Sequence, residues 1–240
     1  MSGSDRIRVL TYNLRDLKDD PQAIARVIRA IQPDVACLQE VPRHPLAGHR
    51  VGRLADACGL VWSGGGVRSG GTAVLTSLRV DQRSAHAARL PVTGRFTRTR
   101  GYASAVVAVP GGPSVTVASV HLGLLPEERQ RHARLVLDQV QESGPAPYII
   151  AGDLNEPPDG PSWRVFGTAL DDAGAVARGV AGQAPTYPAR APNRRIDAIL
   201  VSKSVVVQSI RVAGAAEGVD HADLLAATDH LPVIADLQIA

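Results

Sequence analysis

The sequence predicts an α/β protein with a two-sheet core and helices outside. Three observations carry this. Apolar runs of strand length recur from end to end, helical periods separate some of them, and other neighbours are joined by hairpin-length turns. The chain has 240 residues, 45% of them hydrophobic, which is ample for a core. No linker rich in Ser, Gly and Pro is long enough to separate domains. Residues 1–240 therefore read as a single domain, with residues 1–5 as a flexible N-terminus.

Taken in order, Ile7–Tyr12 alternates polar and apolar residues as a strand does. Asp20 before Pro21 opens a helix, and Ile24, Val27, Ile28 and Ile31 form its buried stripe. Asp34–Leu38 is the second strand and delivers Glu40 at its end. Val51, Leu54, Ala55 and Cys58 are spaced as a short helix that stops at Gly59. Gly64-Gly65-Gly66 and Gly70-Gly71 read as a hairpin turn before strand Thr72–Thr76. Tyr102–Val109 and Ser114–Val120 form a hairpin across Pro110-Gly111-Gly112-Pro113. Pro126, Glu127 and Glu128 start a helix with Ala133, Val136, Leu137 and Val140 on its buried side. Tyr148–Ala151 is a fully apolar strand, Ser162–Thr168 a short helix, and Gly174–Gln183 a loop. Ile196–Ser202, Val205–Val212 and Val233–Leu237 supply the last strands.

The formal net charge is +3, and only Lys18 and Lys203 among the 26 basic residues are lysines. A GC-rich genome explains that bias slightly better than a phosphate-attracting surface does. Cys37 and Cys58 lie in apolar segments and read as reduced, buried, small hydrophobes. Neither a signal peptide nor an apolar run of membrane-spanning length is apparent. The expectation is a cytoplasmic monomer without membrane contact.

Six short polar motifs follow apolar runs. They are Thr11-Tyr12-Asn13, Leu38-Gln39-Glu40, Ser119-Val120-His121-Leu122, Gly152-Asp153-Leu154-Asn155, Arg195-Ile196-Asp197 and Thr228-Asp229-His230-Leu231-Pro232. Strand ends are rigid, so carboxylates and imidazoles mounted there can converge on a divalent cation. Glu40 is the leading metal ligand, because a carboxylate at the end of a buried strand is costly without a cation. Hard oxygen donors favour Mg²⁺, with Mn²⁺ as a substitute. Asp153 and Asn155, two apart in an extended segment, would face one cavity. The bland alternative is an Asx-turn. Arg98 and Arg100 would share a strand face, as a substrate clamp or as a solvated basic strand, with Arg95 close by. His44, His49, His86, His132 and His221 have no motif register and read as surface residues.

In this order the motifs resemble those of the endonuclease/exonuclease/phosphatase superfamily, from Ile7 to Leu237. The superfamily includes pancreatic-type deoxyribonucleases, abasic-site endonucleases, bacterial sphingomyelinases and inositol-polyphosphate 5-phosphatases. His121-Leu122-Gly123, Glu128-Arg129-Gln130 and Thr186-Tyr187-Pro188-Ala189 are most similar to its compact bacterial metal-dependent hydrolases. The resemblance implies a four-layer α/β/β/α sandwich, two mixed and mostly antiparallel sheets with outer helices. It implies a metal set of Glu40, Asn13 and Asp229, the last as an outer or transient ligand. Asp153 would orient or deprotonate the attacking water, and Asn155 would hold the phosphate or a metal-bound water. His230 would contact the phosphate with its tautomer fixed by Asp197. His121 would bind phosphate or protonate the leaving oxygen, and Arg100 would reach a phosphate.

The implied activity is Mg²⁺-dependent phosphoester hydrolysis, read as a phosphodiesterase or nuclease acting on DNA or RNA. The alternative is a phosphatase or phosphodiesterase of a small phosphorylated metabolite. The scarcity of aromatic residues, two Trp, four Tyr and two Phe, weighs against a single-strand stacking platform. His121, where abasic-site endonucleases usually carry Tyr, speaks against abasic-site repair. The 5-phosphatase signatures are missing, and residues 203–228 hold no aromatic for a sphingomyelinase-like membrane hairpin. A binding module that had lost its chemistry would lack at least one acid of the set, and none is lacking.

Overall fold

The computed structural model describes residues 5–44, 46–93, 98–109, 111–177 and 181–239. The elements in chain order are β1 (Arg6–Asn13), α1 (Pro21–Ile31), β2 (Val35–Gln39), α2 (Ala47–Cys58), β3 (Val61–Gly66), β4 (Thr72–Thr76) and β5 (Asp81–Leu90). Then follow β6 (Arg100–Ala108), β7 (Ser114–His121), α3 (Pro126–Ser143), β8 (Tyr148–Asp153), α4 (Pro161–Phe166) and β9 (Leu170–Asp172). The chain closes with α5 (Ala173–Val176), β10 (Asp197–Ser202), β11 (Val205–Val212), α6 (His221–Ala227) and β12 (Val233–Ile239). Local signals set several boundaries. The Asp20 carboxylate accepts hydrogen bonds from the N–H groups of Gln22 and Ala23 and so caps α1. Gly59, at φ +70°, ends α2 in the left-handed conformation.

Two six-stranded sheets result, ordered β11-β12-β1-β2-β4-β3 and β5-β6-β7-β8-β10-β9. Each contains a single parallel pair, β1 with β2 and β7 with β8; the other pairs are antiparallel. Parallel neighbours need a crossover, supplied by α1 in one sheet and α3 in the other. Alternation along β1 sends Val9 one way and Leu10 the other. Val9 joins Val35, Cys37, Val117, Ile149 and Ile199 in a core between the sheets. Leu10 and Tyr12 pack under α1, α2 and α6. On the far side, Val120 and Ile150 pack under α3 and α4, against Val136 and Phe166. The layers are therefore helix, sheet, sheet and helix, as expected.

Some local expectations are corrected. Gly64–Gly66 belongs to β3, an edge strand paired with β4 from Val61↔Thr76 to Gly66↔Thr72. Three successive glycines carry no strand propensity, so tertiary pairing alone makes them a strand. The Asp81–Leu90 strand escapes sequence reading because nearly all of it is exposed at an edge, which leaves no apolar alternation. The Gly174–Gln183 segment, read as loop, contains most of α5 and a 3-10 turn at Ala181–Gln183. His132 is not a surface residue. It is fully buried, with Nε2 2.7 Å from the Pro91 carbonyl and Nδ1 accepting from the Gly123 N–H. It lies on the inner face of α3 beside Ala133 and Val136. Cys37 and Cys58 are buried and unpaired.

Candidate active site

The topology explains why six separated motifs meet. Because β1 and β2 are parallel, Asn13 and Gln39 end at the same edge, in register, with Glu40 next in the chain. Because β7 and β8 are parallel, His121 and Asp153 end together in the other sheet. β10 runs antiparallel to β8 and starts opposite its end, with Asp197 paired to Asp153. β12 runs antiparallel to β1, so His230 arrives beside the end of β1, where Thr11 pairs with Val233. The sheets are tied across the core by Gln39, whose Nε2 donates to Ser119 Oγ at 3.0 Å.

Asp153 Oδ2 is the hub. It accepts from Asn13 Nδ2 at 3.0 Å, and lies 3.4 Å from His121 Nε2 and 3.8 Å from His230 Nε2. On the far side of the ring, His230 Nδ1 lies 3.0 Å from Asp197 Oδ2. Glu40 Oε1 is 4.0 Å from His121 Nε2, and Glu40 Oε2 accepts from Arg98 Nη1 at 3.1 Å. Glu40 has φ +48°, a conformation a non-glycine residue adopts at a cost of order 1 kcal/mol. Its backbone is held by the Asp16 N–H donating to the Glu40 carbonyl at 2.7 Å.

Electrostatics divides the two histidines. His121 is held well below the ordinary imidazole range by burial, and then by the guanidinium of Arg100. Burial opposes the charge on His230 too, but the carboxylates of Asp197, Asp153 and Asp229 outweigh it and push the ring up to about 9. Burial also lifts the Asp153 carboxyl to about 6; His230 works against that lift and Asp197 with it.

Asn13, Glu40, His121, Asp153, Asp197 and His230 are thus brought together. Asn155 lies beside them in another posture than expected. Its φ is +52°, its N–H donates to Asp153 Oδ1 at 2.8 Å, and its Nδ2 donates to the Leu122 carbonyl. The segment is an Asx-type turn and not an extended pair, since the short side chain of Asp153 satisfies the turning backbone. Asp229 is paired with Arg15, its Oδ2 3.4 Å from Arg15 Nε. Arg98 and Arg100 both reach the site, to different depths. Arg100 is buried against His121, whereas Arg98 precedes the strand and is half-exposed beside Glu40 and Asp16. Arg95 lies outside the described residues.

Sequence reasoning assigned no role to several residues that build this site. Asp16 stands among Lys18, Arg43 and Arg98, placed by three successive residues of positive φ, Arg15 to Leu17. No local signal announces such a run. Thr186 Oγ1 accepts from the N–H groups of Ile196 and Asp197, and its carbonyl accepts from Leu231, so it splints the Asp197 and His230 segments. Tyr187 packs against His230 at a tilt, with ring centroids 4.8 Å apart. The Thr186-Tyr187-Pro188 motif was the signal available for both.

The residues suit a divalent cation. Asp153, Asp197 and His230 offer ligand atoms within 4.8 Å of one another, all buried. This trio differs from the expected set of Glu40, Asn13 and Asp229, and Asp153 joins the two through its bond to Asn13. Burial disfavours the charged form of Asp153, and a cation bound beside it would stabilise that form.

The sequence model of the Endonuclease/Exonuclease/phosphatase family matches residues 10–230. No curated protein matches the chain by sequence. Solved structures do. An endonuclease/exonuclease/phosphatase family protein from Bacteroides thetaiotaomicron is 20% identical, with a TM-score of 0.80 and all of both chains covered. The mannosyl-6-phosphatase Bt3783 of the same organism is 21% identical (TM-score 0.78, 96% of this chain and 99% of that one). D. rerio TDP2, solved with a single-strand DNA product, is 19% identical (TM-score 0.77, 97% and 99%). With its fold, its converging strand ends and the family model in agreement, the chain belongs to the endonuclease/exonuclease/phosphatase family and is a phosphoester hydrolase.

Proposed function

We propose that the protein is a phosphodiesterase that uses Mg²⁺, or Mn²⁺ in its place, and acts on DNA or RNA. The observation that carries this reading is the convergence of Asn13, Glu40, His121, Asp153, Asp197 and His230 beside the half-exposed Arg98. Glu40 with Asn13, and Asp229 as an outer ligand, would hold the cation. When bound, the metal supplies Lewis-acid charge to a phosphoryl oxygen. Asp153 orients the attacking water and takes its proton, with its Oδ2 held by Asn13. Asn155 steadies the phosphate from the turn after β8. His230, oriented by Asp197, contacts the phosphate as a cation. His121 meets the phosphate from the opposite sheet. Arg98, half-exposed, has the freedom to reach substrate; Arg100 contributes its charge from behind His121. We read the chain as one domain because both sheets contribute to this one site. We read it as a cytoplasmic monomer; the unpaired Cys37 and Cys58 suit a reducing compartment.

A second reading, a phosphatase or phosphodiesterase of a small phosphorylated metabolite, draws support from the scarcity of aromatic residues. One experiment separates the two. Supercoiled plasmid, bis-p-nitrophenyl phosphate and p-nitrophenyl phosphate are incubated with Mg²⁺ or Mn²⁺, with Glu40→Ala and His230→Ala as controls. Nicking that disappears in both variants is the expected result. Hydrolysis of the small esters without nicking transfers the assignment to metabolites, and no metal-dependent activity on any of them overturns the proposal.

A further inference from the structure

Arg100 opens β6 and His121 closes β7, diagonal to one another, since Gly101 is the residue directly opposite His121. Both side chains are buried. Arg100 Nη1 lies 3.2 Å from His121 Nδ1. A guanidinium has N–H donors and no acceptor, and it does not give up its charge in a protein. Its contact with a ring nitrogen at that distance is a hydrogen bond only if the nitrogen carries a lone pair. Nδ1 is therefore the acceptor, and the ring proton sits on Nε2. That N–H points into the site, toward Asp153 Oδ2 at 3.4 Å and Glu40 Oε1 at 4.0 Å.

The backbone of Arg100 is closely packed. A Cβ on Gly101 would come within 2.2 Å of the Ser69 carbonyl oxygen, and one on Gly70 within 2.5 Å of the Arg100 carbonyl carbon. Only glycines let these segments close on one another, and they fix where the guanidinium starts.

We propose that Arg100 is a positioning residue that locks His121 in the Nε2–H tautomer, so that His121 presents a hydrogen-bond donor to a phosphoryl oxygen. This rests on the phosphoester-hydrolase reading of the same site. Nδ1 is closed to protons because its lone pair is bound by a cation. Nε2 holds the only ring proton, and losing it would leave an imidazolate. His121 is then a fixed donor, poised as an oxyanion-hole group is.

The test is long-range ¹H–¹⁵N NMR on full-length protein labelled at histidine, with and without Mg²⁺, the His121 ring being assigned from His121→Asn. In the wild type, Nδ1 is expected to resonate as an unprotonated nitrogen and Nε2 as a protonated one. In Arg100→Met, which keeps the length and removes the donor, an Nδ1–H population appears. In Arg100→Lys, whose ammonium still donates, the wild-type pattern returns. Adding inorganic phosphate with Mg²⁺ shifts the His121 Nε2–H proton of the wild type. On bis-p-nitrophenyl phosphate, Arg100→Met lowers kcat about 10- to 100-fold with a smaller change in KM, and Arg100→Lys recovers most of it. Nδ1–H in the wild type, an unchanged tautomer in a folded Arg100→Met, or no shift with phosphate overturns the proposal. The wild-type tautomer decides even if Arg100→Met fails to fold. It is also read without turnover, so a wild type that hydrolyses no ester counts against the proposed function, separately from the lock.

Discussion

Replacing Glu156 with alanine is expected to destabilise the protein by about 3–5 kcal/mol, although the residue touches neither the expected ligands nor substrate. Glu156 follows Asn155 and is 3% exposed. Its Oε2 accepts from the buried Ser162 N–H at 2.7 Å and its Oε1 from Arg129 Nε at 3.2 Å. The carboxylate thus holds the start of α4 and the face of α3 against the turn after β8. Alanine leaves the Ser162 N–H without an acceptor, at about 1–3 kcal/mol. It also leaves the Arg129 guanidinium, 11% exposed, without its counter-charge, which for a buried pair costs about 3–5 kcal/mol. The retained bond from Arg129 to the Leu124 carbonyl holds the total near the latter range. For a chain of this size the loss lowers Tm by about 6–20 °C. Glu156→Gln removes the counter-charge but keeps an oxygen for Ser162, so it should lose less than the alanine variant by about 1–3 kcal/mol. Urea unfolding followed by circular dichroism, with m unchanged, measures both. A loss below about 1 kcal/mol for the alanine variant, or equal losses for the two, would refute the account.

Gly152→Ala should destabilise by at least about 1–3 kcal/mol and abolish hydrolysis of bis-p-nitrophenyl phosphate. Its Cβ would fall 2.0 Å from the Val120 carbonyl oxygen, which cannot rotate away, and so separate His121 from Asp153. His132 makes stability depend on pH. Burial lowers its pKa in the fold, with the Pro91 carbonyl opposing, so below the unfolded pKa of about 6.5 the unfolded chain binds the extra proton. The contribution is full above that pH and is lost as pH falls through it. The stability gap between wild type and His132→Gln, from urea melts, should therefore shrink between pH 7.5 and 5; a constant gap would exclude the mechanism. Thr186→Val removes the oxygen that accepts from Ile196 and Asp197 and should lower stability by about 1–3 kcal/mol. Its kcat on the same ester should fall while circular dichroism stays native-like, and an unchanged kcat would show that Thr186 does not align Asp197.

Much of this was legible because the strands of this fold carry their chemistry at their ends. The run Tyr148–Ala151 and the following Asp153 mark β8 and its acid without any tertiary information. Asp20-Pro21 marks the start of α1 and Gly59 the end of α2 for local steric and capping reasons. The misses share a cause. Gly64–Gly66 is a strand only because β4 pairs with it, and His132 is buried only because α3 turns it toward the Pro91 carbonyl. Neither fact leaves a period in the local sequence.

By itself the sequence determined which side chains could do chemistry and that each stands at a strand end. Only the tertiary structure decided which of them meet. Two parallel pairs, one in each sheet, bring Asn13 and Glu40 to the edge that His121 and Asp153 reach from the other sheet. Tertiary packing also set how deep each arginine lies, leaving Arg98 half-exposed beside Glu40 and burying Arg100 on His121. Such meetings span long stretches of chain, 140 residues between Asn13 and Asp153. They depend on how two sheets stack, whereas propensity and period reach no farther than one element.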